Sequence, residues 1–234
     1  VLTDWLTTNV VAIDADGIRT LRLNVIHDDL RLKAFEHIPL PPYITQNDSL
    51  ALEYQTVYAL AYGSLAAPTA GLHFTKELVN KIKQNHEVAE ITLHVGLGTF
   101  AKLTNENLRT GRLHKEKFEI SPEVAKTIAS SLHITAVGTT TVRTLESATN
   151  SKSLAIHSST DIFIRPGYKF KVVNSMITNF HMPGTSLLML VAAFIADKRG
   201  MREEEAALEL RKIYQHAINQ NYRFYSFGDA MILV

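Results

Sequence analysis

The stretch from Ile134 to Ser147 changes its period in the middle, and that change limits the folds open to the chain. Ile134 to Val137 is a short, largely β-branched apolar run, Gly138 allows a tight reversal, and from Thr139 the apolar residues Val142 and Leu145 fall at helical spacing. A buried strand running through glycine into a helix is a building unit of α/β folds. Free N–H groups at the start of such a helix favour an anionic or electron-rich ligand group, and Thr139, Thr140 and Thr141 place hydroxyls beside them. Arg143 and Glu146 lie three apart on one helix face, the spacing of an ion pair. Standing alone, the stretch also suits an ordinary strand–helix unit with a surface ion pair.

The rest of the chain alternates strand and helix signals around it. Val10 to Asp14 and Ile18 to Val25 read as strands joined by a turn with an Asp16-Gly17 pair, and Leu30 to Phe35 reads as a short helix. Pro39, Pro41 and Pro42 resist both helix and central strand, so a domain boundary falls there, between 1–38 and 39–234. Helices are expected over Glu53 to Tyr62, from a Thr75 cap to about Gln84, and from the Ser121-Pro122-Glu123 start. Strands are expected over Val88 to Val95, Asp161 to Arg165 and Phe170 to Ile177. Leu187 to Ala196 is apolar all round and predicts a buried helix closed by Lys198, Arg199 and Gly200. A further helix carries Ala206, Leu210, Ile213, Tyr214 and Ala217 on one face. The pattern predicts an α/β fold, a mixed sheet with flanking helices.

Composition removes several function classes. The 234 residues include no cysteine, which excludes disulfides, thiol nucleophiles and cysteine-rich zinc sites together. The ten histidines form no His-x-x-x-His or His-Glu-x-x-His pair, so no metal site is expected. The longest apolar run is too short for a bilayer and no secretory signal is read, so a cytoplasmic protein with no membrane partner is expected. A formal net charge of +1 means that any RNA contact needs a local patch, and the densest cationic run holds Arg109, Arg112, Lys115 and Lys117 against the single acid Glu116. Such a run is equally the description of a solvated face.

Three histidines sit in polar turns. His94 ends an expected strand ahead of Gly96 and Gly98, where α/β sheets place ligands, or else it bonds a loop carbonyl. His73 precedes a helix start, and His181 lies in the loop feeding the apolar helix, where a neutral imidazole can serve as acid or base. Asp229, after Gly228, suits a ribose hydroxyl or a turn. Tyr222, Phe224, Tyr225 and Phe227 offer rings for base stacking or for the core.

Taken in order, the runs Ala67 to Thr75, Leu93 to Phe100, Ile134 to Ser147, Thr178 to Ser186 and Tyr222 to Met231 resemble the S-adenosylmethionine:tRNA ribosyltransferase-isomerase family of the queuosine pathway. The resemblance covers about Pro39 to the end. It implies a main α/β catalytic domain at 39–234, with 1–38 the tail of an inserted small β-barrel domain. The implied reaction transfers and isomerises the ribosyl part of S-adenosylmethionine onto 7-aminomethyl-7-deazaguanine in the tRNA anticodon loop, giving epoxyqueuosine, adenine and methionine. S-adenosylmethionine is then a co-substrate, no metal is needed, and the protein is expected to be a monomer. His94, His181, His73 and Glu146 become the catalytic candidates; Gly138, Thr139, Thr140, Arg143 and Asp229 the cofactor-binding ones; Arg109, Arg112, Lys115 and Lys117 the tRNA-binding ones. The chain departs from the family where Ala101-Lys102-Leu103 follows the Gly-Thr-Phe run, and in the order of hydroxyls around Met182-Pro183-Gly184-Thr185-Ser186. The family's Asn-Asn-Thr-Arg segment is absent and the chain opens on valine, which suggests a chain incomplete at its amino terminus. A non-catalytic tRNA-binding fragment and a conventional methyltransferase are the alternatives.

Overall fold

A computed structural model describes residues 3–13, 19–26, 28–61, 63–96, 103–149 and 157–234. The chain divides into two compact units, Val1–Ile38 and Pro39–Val234. In the first, β1 (Thr8–Ile13) and β2 (Arg19–Leu23) form an antiparallel ribbon, followed by a 3-10 turn at Leu30–Phe35. The expected Asp14 to Gly17 turn lies outside the described residues. Arg31 lies 4.3 Å over the Trp5 ring, and Trp5 packs on Phe35 at 6.0 Å. Val10, Val11, Ile13 and Leu21 remain exposed, since a two-stranded ribbon has too little surface to bury either face.

The second unit opens with 3-10 turns at Asp48–Ala51 and Thr69–His73. No helix forms over the described part of Glu53 to Tyr62, contrary to the sequence expectation. Tyr54 and Thr56 are buried while Gln55 and Val57 are exposed, an alternation that one face of a helix cannot supply. The regular elements then follow in order: α1 (Lys76–Lys83), β3 (Thr92–His94), α2 (Asn105–Thr110), β4 (Arg112–Glu119), α3 (Pro122–Ser130), β5 (Thr135–Val137), α4 (Thr139–Ala148), β6 (His157–Ile162), β7 (Ser175–Asn179), α5 (Ser186–Arg199), α6 (Glu203–Asn219) and β8 (Ala230–Leu233). Local chemistry sets their ends. Thr75, Ser121 and Thr185 cap α1, α3 and α5 through their hydroxyls, and Gly200 closes α5 in the left-handed conformation.

Two three-stranded sheets result, giving a mixed α/β fold. β3, β4 and β6 are antiparallel; in the other sheet β5 runs parallel to β7, and β8 antiparallel to it. Helix α4 packs against strands of both sheets, and Thr139, Val142, Arg143, Thr144, Leu145, Glu146 and Ala148 are buried along it. The apolar core joins α4 and α5 to both sheets through Phe118, Met176, Leu190 and Phe194, with Leu210 of α6. Among the described residues no helix is long and apolar enough to cross a membrane.

Three strand expectations shift, the one before β7 for a visible reason. The segment before β7 was expected to be extended from Phe170, yet pairing begins only at Ser175. The N–H groups of Lys171, Val172 and Val173 donate instead to the Glu146 carboxylate, and that of Phe170 to Asp197 Oδ2. With its donors taken, this stretch has none left for a ladder. The strand expected over Asp161 to Arg165 lies earlier, at His157–Ile162, and that over Val88 to Val95 contracts to Thr92–His94.

Candidate active site at the carboxyl edge of the mixed sheet

Parallel pairing of β5 and β7 brings their carboxyl ends together, with the Gly138 N–H donating to Ile177 O at 2.8 Å. Gly138 rather than a threonine is the residue before α4, and its φ of 91° is one that glycine alone adopts cheaply. The threonines do not cap. Thr141 Oγ1 donates back to Val137 O at 2.7 Å and Thr144 Oγ1 to Thr140 O at 3.0 Å, leaving Thr139 buried and Thr140 half-buried at the helix start.

Beside them, β7 ends in Asn179 and delivers His181. Thr178 Oγ1 and His181 Nε2 share a hydrogen bond of 2.7 Å, and the His181 N–H donates to the Tyr214 hydroxyl at 2.8 Å. Burial drives the His181 imidazole down to about 4, so it is neutral near pH 7. Thr69 Oγ1 donates to Asn179 Oδ1 at 2.8 Å, while Asn179 Nδ2 is buried with no partner among the described residues. The loop after α6 joins the same edge, the Tyr225 N–H donating to Phe180 O at 3.0 Å. Four of the distinctive runs of the sequence therefore meet here.

Arg143 and Glu146 do not pair, and neither is on the surface. Arg143 Nη1 lies 2.9 Å from Glu116 Oε2, both side chains at most 5% exposed, and its Nε and Nη2 have no hydrogen-bond partner among the described residues. Glu146 is fully buried and accepts from the Tyr168 hydroxyl and from three N–H groups of 171–173, all at 3.0 Å. Charged Glu146 in turn raises the Tyr168 phenol, after burial the next cause.

The other candidates are spread out. His94 lies on the second sheet, opposite Lys117, its ring against Gly63. Gly98 to Phe100 lie outside the described residues. His73 is exposed on an open cleft of about 550 Å3 that Phe74, Lys76, Arg223 and Phe227 also line. Asp229 closes a turn: its Oδ2 accepts the Arg223 N–H at 2.7 Å and its Oδ1 the guanidinium at 3.2 Å, and the first of these bonds chiefly holds its carboxyl below the usual range. Arg109 is paired with Glu106 and Arg112 with Asp161, while Lys115 and Lys117 point to solvent from β4. Among the described residues no group of three His, Asp or Glu could hold a metal. Sequence reading passed over Glu116, although it is the lone acid of its run and alternates inward with Phe118 and Ile120. It also passed over Thr69, whose partner lies 110 residues away.

The description of the family whose model matches residues 1–233 is queuosine biosynthesis protein. An S-adenosylmethionine:tRNA ribosyltransferase-isomerase of Treponema denticola is 45% identical over 226 residues, covering 92% of this chain and 62% of its own. One from Nostoc sp. is 48% identical over 239 residues, covering 98% and 58%. The crystal structure of S-adenosylmethionine tRNA ribosyltransferase from Thermotoga maritima superposes with a TM-score of 0.55 at 31% identity, covering 100% of this chain and 64% of that one. The chain thus spans about three fifths of the length of these relatives. A family match running almost from end to end makes this chain a member of the queuosine biosynthesis protein family.

Proposed function

We propose that this chain carries the main catalytic domain, 39–234, of an S-adenosylmethionine:tRNA ribosyltransferase-isomerase, with 1–38 the tail of an inserted β-barrel domain. The reaction moves and isomerises the ribosyl group of S-adenosylmethionine onto 7-aminomethyl-7-deazaguanine in the tRNA anticodon loop, forming epoxyqueuosine and releasing adenine and methionine. It runs in the cytoplasm, on a monomer, without a metal. One observation carries the reading: the Gly138 to Thr141 and Thr178 to His181 runs, which the sequence marks as distinctive, lie side by side at the carboxyl ends of parallel strands. That is where α/β sheets hold ligands.

The chemistry needs a base for the proton beside the sulfonium, a hydrogen bond to help adenine leave, and a positioned amine. In this reading neutral His181, oriented through Nε2 by Thr178, and His94 move protons, and His73 acts from the cleft. Gly138, Thr139 and Thr140 hold the sugar. Arg143 takes the methionine carboxylate with the donors that Glu116 leaves over, and Glu146 contributes by fixing the segment that leads into β7. Asp229 acts through Arg223, while Lys115 and Lys117, with Arg109 and Arg112, face the tRNA backbone.

Product analysis tests it. Incubated with S-adenosylmethionine and tRNA bearing the aminomethyl base, the chain should release adenine and methionine and add mass to the tRNA, as should the Nostoc relative run beside it. S-adenosylhomocysteine would identify a methyltransferase instead. Retained tRNA binding with no turnover would identify a binding fragment.

A further inference from the structure

The loop from Tyr222 to Asp229 divides its rings into two sets. Phe224 packs inward on Phe180 at 5.0 Å and Tyr214 at 5.7 Å. Tyr222, edge-on to Phe180 at 5.8 Å, and Tyr225 stay 46% and 39% exposed, and Tyr43, itself 44% exposed, stands 5.6 Å from Tyr225. Exposed rings at the rim of a packed aromatic cluster mark a contact surface.

The backbone is built to present them. Tyr225 has a φ of 70°, a left-handed conformation that is costly for a bulky residue and tends to collect at functional sites. The loop enforces it: the Tyr225 N–H is bonded to Phe180 O, and the Tyr225 carbonyl accepts the Gly228 N–H at 3.1 Å. The Asp229 N–H donates to Arg223 O at 2.8 Å. A side chain at Gly228 would collide with the backbone of Arg223 and Phe224. The same Asp229 carboxylate pins the Arg223 guanidinium, whose side chain remains 74% exposed. Arg223 thus stands as a fixed cation lining the cleft, as Lys76 does, with the Phe227 ring in the wall backed by Tyr54 at 5.4 Å.

We propose that this loop and cleft hold unpaired nucleotides of the RNA substrate, bases stacking on Tyr222, Tyr225 and Phe227 and phosphates meeting Arg223 and Lys76. The inference rests on the functional reading above, in which RNA is the substrate. Exposed aromatic faces beside solvent-facing cations are how single strands are bound, whereas small co-substrates are largely enclosed. The Arg109 to Lys117 surface carries no phenylalanine, tyrosine or tryptophan, so it suits the phosphate backbone rather than unstacked bases.

The test uses the whole chain and three variants: Tyr222→Ala, Tyr225→Gly and Arg223→Ala. Tyr225→Gly deletes the ring while suiting the left-handed backbone, so the fold is spared. Each is titrated with an RNA stem-loop, with the same stem as a blunt duplex, and calorimetrically with S-adenosylmethionine. The tyrosine variants should bind the stem-loop about tenfold more weakly and the duplex as before. Arg223→Ala should lower the salt slope by roughly 0.7. Unchanged stem-loop affinity in folded variants overturns the proposal, as does a loss confined to S-adenosylmethionine, which would give the cleft to the co-substrate. Either result, in a parent that turns over, leaves the functional reading standing. A parent that neither binds RNA nor turns over while the Nostoc relative does both removes that reading and this surface with it.

Discussion

His181 links position to charge state. Its pKa falls from 6.5 to about 4 because burial disfavours the imidazolium. The unfolded chain therefore binds the extra proton first, and stability present above pH 6.5 is lost as pH falls towards 4, by about 3 kcal/mol at most. Urea titrations at pH 7 and pH 4.5 should show this loss, and His181→Gln should remove most of it; an equal loss in the variant would mean that other groups set the acid limb. Arg143 poses the opposite problem, a buried cation with more donors than its partner Glu116 fills. Lysine keeps the charge but not the planar fork. Arg143→Lys should raise the Kd for S-adenosylmethionine about tenfold by calorimetry, at the energy scale of one charged hydrogen bond; an unaltered Kd would leave Arg143 as the structural partner of Glu116 alone.

Between elements, one carboxylate governs the approach to β7. Glu146 on α4 accepts four hydrogen bonds from Tyr168 and from 171–173, and these orient the chain just before it enters the sheet that carries Asn179 and His181. Glutamine at this position has one acceptor oxygen and an NH2 group that would face N–H donors. Glu146→Gln should cost about 3 kcal/mol, at the scale of losing charged and buried hydrogen bonds. It should speed amide exchange at Lys171, Val172 and Val173 well before that of α5. Protection unchanged at those three amides would show that the segment is held by packing instead.

At the scale of the whole molecule, the main core of the second unit draws only on residues from Ile91 onward. Residues 39–234 expressed without the first 38 should therefore melt cooperatively, within about 5 °C of the full chain, since no core side chain is removed. A broad, low transition would contradict this. The sequence alone determined whatever depends on near neighbours. A hydroxyl before a helix caps it through near neighbours alone, so Thr75 and Ser121 were legible as starts and Gly200 as a stop. The strand-glycine-helix junction at Gly138 and the all-round burial of α5 were legible for the same reason, as was the family from its ordered motifs. Tertiary structure decided partner choice. The i, i+3 spacing of Arg143 and Glu146 describes an isolated helix in water. Buried between two sheets, each charge takes the partners that desolvation demands, Glu116 for one and the 168–173 segment for the other, 27 residues away in the sequence at Arg143 and at most 27 at Glu146. The helix expected after Glu53 failed similarly, because Tyr54 and Thr56, two residues apart, are both buried while Gln55 and Val57 are exposed. Local periodicity carries no record of which distant surface a side chain will meet, and that meeting sets its charge, its hydrogen bonds and its place in the site.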